Sequence, residues 1–129
     1  MKGQTKILII GGPRCGKTTY AHKLSKDLGI PIQHFDDFMR DFEWSELSDK
    51  ISEWLDEPGP WIKEGVQGVR GLRKWLRQNK NAVGFDVHLL NEPKVHHTKG
   101  QAAMHKAHNT ILREVGIELK KRGKDFLTI

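Results

Sequence analysis

One cysteine, one tyrosine and no long apolar run are the first features of this 129-residue chain. A lone Cys15 cannot close an internal disulfide, which excludes a disulfide scaffold and points to a reducing, cytoplasmic setting. No apolar stretch approaches the ~20 residues of a membrane span, so no membrane partner is expected. The residues before the first apolar run are too few and too polar for a signal peptide. There is no repeat and no low-complexity tract. With 36% hydrophobic and 29% charged residues, the composition is that of one polar globular domain, expected over residues 1–129. It carries no signal for an oligomeric state.

Charge is present but unevenly spread. Residues 1–60 hold 8 Lys/Arg against 10 Asp/Glu, and residues 61–129 hold 14 against 6. The second half, at +8, suits an anionic partner.

The chain alternates apolar runs with helical patterns. Strands are expected at 6–10, 30–35, 61–63, 82–90 and 125–129. Helices are expected at 17–28, at 45–56, around Val69–Leu76 and at 101–122. In the last helix Met104, Ala107, Ile111, Val115 and Leu119 form the expected inward face. Strict alternation implies an α/β three-layer sandwich: a five-stranded parallel sheet with helices on both faces. Ligands of such sheets gather at the carboxyl ends of the strands.

The first strand runs into "GGPRCGKTT", residues 11–19. Gly11, Gly16, Lys17 and Thr18 satisfy the spacing of a phosphate-binding loop (Walker A). Glycines let successive backbone N–H groups turn into one concavity, and the following helix adds the positive end of its dipole. Gly11, Gly12, Pro13, Arg14, Cys15, Gly16, Lys17, Thr18 and Thr19 are therefore expected to hold a nucleoside triphosphate, ATP or GTP. Lys17 would act on the outer phosphates and Thr18 on Mg2+. Cys15 is read as a small passive residue.

"HFDDFMR" (34–40) places Asp36 and Asp37 directly after the second strand. Phosphoryl transfer requires a group that orients or deprotonates the attacking hydroxyl. Asp36 is the expected base and a water-mediated Mg2+ ligand, with Asp37 in reserve. Glu64, at the end of "WIKE", is a further metal candidate of Walker-B placement. Arg70, Arg73 and Arg77 follow on one helical stripe; Arg70 and Arg73 are candidate substrate-phosphate ligands, and Arg77 reads as solvated. The loop "NEPKVHHTKGQ" (91–101) is a short, minimal lid with Lys94 and Lys99 as substrate-binding cations. His96, His97, His105 and His108 read as solvated, since no zinc pattern accompanies them.

In these three motifs, "GGPRCGKTT", "FDDFMR" and "WIKEGV", the chain resembles the small P-loop kinases of nucleosides, nucleotides and nucleic-acid 5′ ends. The resemblance implies Mg2+-dependent transfer of a γ-phosphate to a hydroxyl, Asp36 as base and Arg40 on substrate phosphate. It departs from that family's pattern in a lid without arginine. The expected acceptor is a nucleoside, a phosphorylated small molecule or a nucleic-acid 5′ end. The alternative is a P-loop ATPase or nucleotide-binding module with no acceptor.

Overall fold

The computed structural model describes residues 5–80 and 82–129. Residues 1–4, on which the expectation of no leader partly rests, lie outside the described residues. β1 (Lys6–Ile10), β2 (Ile32–His34), β3 (Trp61–Glu64), β4 (Asp86–Leu89) and β5 (Leu127–Thr128) form one sheet in the order β2-β3-β1-β4-β5. All four pairings are parallel. Between them run α1 (Lys17–Leu28), α2 (Trp44–Trp54), α3 (Gly68–Gln78) and α4 (Lys99–Lys121).

Side chains alternate across the central strand and divide the core in two. Ile7 and Ile9 pack with Ala21, Ile30 and Ile62 on the side of α1. Leu8 and Ile10 join Phe35, Leu47, Ile51, Leu72, Ile111 and Val115 on the side of α2, α3 and α4. The result is the expected three-layer α/β sandwich, with one helix on one face and three on the other. Its crossover order reverses at β1, so the carboxyl ends of β1, β3 and β4 meet in the crevice where such folds bind ligands.

Several boundaries differ from the sequence expectation. Phe35–Phe38 leaves the second strand as a 3-10 turn, because the edge strand ends with its partner at Glu64. Residues 82–85 precede β4 rather than belong to it, although Val83 and Phe85 are buried by packing. On α4 the inward face also shifts. Ala107 is exposed and Met104 half-buried, and His108 takes the core position one turn before Ile111. α4 begins earlier than expected because Thr98 and Gln101 form a reciprocal capping box.

Candidate active site

The loop between β1 and α1 is built from glycines that steric contact requires. A Cβ on Gly11 would lie 1.7 Å from the Leu90 carbonyl oxygen, and one on Gly12 would lie 2.1 Å from His105 Nδ1. Gly16 holds the left-handed φ of 83° that turns the chain into α1. The first turn of α1 carries no acidic residue, leaving its positive dipole end free for an anion.

Backbone groups of the loop already have partners. Asn91 Oδ1 accepts from Gly12 N–H at 2.9 Å, and Asn91 Nδ2 donates to Asn109 Oδ1 at 2.7 Å. Lys17 Nζ donates to the Gly12 carbonyl at 2.6 Å. Lys94 N–H donates to the Arg14 carbonyl at 2.8 Å, while the Lys94 stem crosses Gly16. His97 Nε2 donates to the Pro13 carbonyl at 2.7 Å. The 91–97 loop is thus fastened to the phosphate loop by its own backbone and side chains.

Lys17 is only 7% exposed. Burial lowers its pKa, opposed by the nearby Cys15, Glu64 and Asp36. Cys15 is buried, and burial pushes its thiol up, which suits a passive, protonated residue. Thr18 and Thr19 stand at the exposed start of α1. Thr18 Oγ1 faces Glu64 Oε2 at 3.5 Å, and that same oxygen pairs with His34 Nδ1 at 2.6 Å. A hydroxyl and a carboxylate converging beside a phosphate loop are hard oxygen donors of the kind Mg2+ takes. Mg2+ needs only one or two protein oxygens when phosphates and water complete its shell, so Thr18 and Glu64 fit it.

The structure separates the two aspartates. Asp36 Oδ1 lies 3.3 Å from where a Gly65 Cβ would stand, and its charge reaches Lys17. Asp37 instead lines a cleft with His34, Glu57 and Lys63 at the edge of the sheet. Both carboxylates are exposed. Arg40 is exposed as well, and Arg70 lies half-buried with its guanidinium 5.6 Å from the centre of the Trp44 ring. Arg73 turns away: its Nη1 lies 3.5 Å from Glu114, beside a groove of about 600 Å³ between α3 and α4. Arg77 is not simply solvated, since it bonds the same glutamate at 2.8 Å. Lys99 is exposed at the start of α4.

Sequence reasoning passed over Asn91, Gln67 and the roles of three histidines. His97 holds Pro13, His105 lies against Gly12, and His108 is 3% exposed. The expectation of a solvated His108 is therefore corrected. Burial, then the charges of Lys17, His105 and Arg70, hold its pKa down to about 4, so the ring is neutral at pH 7. The i, i+4 spacing of His108 with Leu112 and its i, i+3 spacing with Ile111 was the available signal.

No protein-family profile matches the chain, and no curated protein matches it in sequence. Solved structures do match. A shikimate kinase from Acinetobacter baumannii, in complex with shikimate, superposes with a TM-score of 0.59. The match covers 98% of this chain and 84% of that one, at 15% sequence identity. The similarity is one of fold. The two share a parallel α/β sandwich.

Proposed function

We propose that this protein is a P-loop kinase that moves the γ-phosphate of ATP, or of GTP, to a hydroxyl of a small acceptor. The observation that carries this reading is the position of Asp36. Among the described residues its carboxylate has no hydrogen bond or ion pair, and it is close enough for its charge to act on the phosphate-loop Lys17. A carboxylate so placed can take the proton of an attacking hydroxyl. In this reading residues 11–19 hold the triphosphate, and Lys17 exchanges the Gly12 carbonyl for phosphate oxygens. Thr18 and Glu64 hold Mg2+, which supplies charge neutralisation at the transferring group. Asp36 accepts the proton of the attacking hydroxyl. Arg40 and Arg70 meet an anionic group on the acceptor, with Lys94 and Lys99 as further cations. Asp37 and Arg73 take no direct part.

A nucleoside or mononucleotide fits better than a nucleic-acid end. Trp44 is the half-exposed indole beside Arg70, and a polymer would draw on a series of such rings.

Incubation with γ-labelled ATP and pooled small acceptors tests the proposal. Label transferred to an acceptor in a Mg2+-dependent way is the expected result. Release of phosphate to water alone would show an ATPase or a switching module, the reading favoured by the 91–97 loop already fastened over the phosphate loop.

A further inference from the structure

Gln67 is fully buried, yet neither its amide nitrogen nor its amide oxygen has a hydrogen-bond partner among the described residues. A buried primary amide in that state is costly, and native interiors leave few of them. Its surroundings locate the missing partner. Gln67 opens α3, and Gly71 one turn later shares its face. A Cβ on Gly71 would collide with Ile51 of α2 and approach the Ser48 carbonyl, so this face of α3 looks at α2. Trp44 begins α2, 41% exposed, and Arg70 on the next turn of α3 lies across its ring. Gly65, in the tight turn closed by Gly68 N–H to the Gly65 carbonyl, sits against Asp36. Gln67 thus follows the turn that sits against Asp36, on the side of α3 that faces α2, and stands one turn of α3 before Arg70, which among the described residues has no carboxylate partner.

Resting on the kinase reading above, we propose that Gln67 selects the acceptor. Its amide binds an uncharged donor and acceptor set side by side on that molecule, while Arg70 meets the molecule's anionic group. A planar amide donates from nitrogen and accepts at oxygen, so it matches an amide-like edge of a heterocycle or a vicinal diol. The Trp44–Arg70 pair closes the mouth of this subsite, and movement of the indole admits the acceptor. A site built to bond such a group discriminates strongly against analogues that lack it, because its polar atoms are then left unpaired.

The test uses wild type, Gln67→Leu and Gln67→Ala with γ-labelled ATP and two acceptor arms. One arm holds nucleosides and nucleoside monophosphates, and the other holds shikimate and gluconate as vicinal-diol acids. Melting temperature without acceptor and ATP affinity are measured alongside. The expected result is transfer in one arm, with the acceptor KM raised about ten- to hundred-fold in both variants. ATP affinity stays within about two-fold, and Gln67→Leu melts no lower than wild type, because an unsatisfied amide has been removed. A KM that Gln67→Leu and Gln67→Ala leave unchanged overturns this inference while the kinase reading stands. A marked fall in melting temperature for Gln67→Leu also overturns it, by showing that the amide is already satisfied within the fold. If wild type labels nothing in either arm, the kinase reading fails and takes this inference with it.

Discussion

The two sides of the crevice differ in how completely their polar groups are paired. On the donor side, Gly12 is bonded at both N–H and carbonyl, and the Pro13 and Arg14 carbonyls are taken by His97 and Lys94. Glu64 is met by both His34 and Thr18. On the acceptor side, Asp36, Arg40, Arg70 and Gln67 have no hydrogen bond or ion pair from their side chains among the described residues. A loop that must present its amides to phosphate with little reorganisation gains from being fixed in advance. A pocket that must bind and release a variable hydroxyl keeps its bonding groups free for the ligand. Under the proposed function, the asymmetry is that of a scaffold completed by its own chain on one side and by its substrate on the other.

The largest break of this comparison is Lys17→Ala. It removes the buried cation on which the donor side is centred, and nucleotide turnover should fall below detection while circular dichroism stays unchanged. Asp36→Asn strikes the other side. Transfer should drop roughly 10²–10⁴-fold, with ATP affinity by isothermal titration within about two-fold of wild type. Asp37→Asn should cost far less, since Asp37 faces the cleft at the sheet edge.

His108 is buried on α4, where the charges of Lys17 and Arg70 reach it, and gives a pH signature. Its folded pKa of about 4 lies below the ordinary 6.5, so between those values the unfolded chain binds the extra proton. Stability should therefore be full above about pH 6.5 and fall as the pH drops toward 4, by about 3 kcal/mol for this group. Denaturant titration across that window should show the slope, and His108→Leu should flatten it. The smallest expected effect is Asn91→Ala, which leaves Gly12 N–H without its acceptor. ATP should bind about ten-fold more weakly, a loss of ~1–2 kcal/mol.

Much of the donor side was legible because its signals are local. The spacing of Gly11, Gly16, Lys17 and Thr18 is a one-dimensional record of a backbone curl. The alternation of apolar runs likewise gave the layers and the parallel sheet. The rest depends on contacts between distant parts of the chain. Gly12 and Asn91 are 79 residues apart, and nothing near either one announces the bond. Arg73 illustrates the same dependence from the other direction. Its stripe with Arg70 is correct as helix geometry, but Glu114 on α4 draws Arg73 out of the crevice. Gln67 was silent for another reason: a buried amide without a partner leaves no pattern in a sequence.

Gly12 occupies a place that the phosphate-loop pattern leaves open to any residue. In this protein the ring of His105, 2.1 Å from where a Cβ would stand, closes that freedom from the far side of the sequence. The two positions therefore form a single unit of variation. A lineage that accepts alanine or serine at 12 must first shrink or withdraw the side chain at 105. Drift at 12 alone would bend the loop, so a change there should follow or accompany a change at 105.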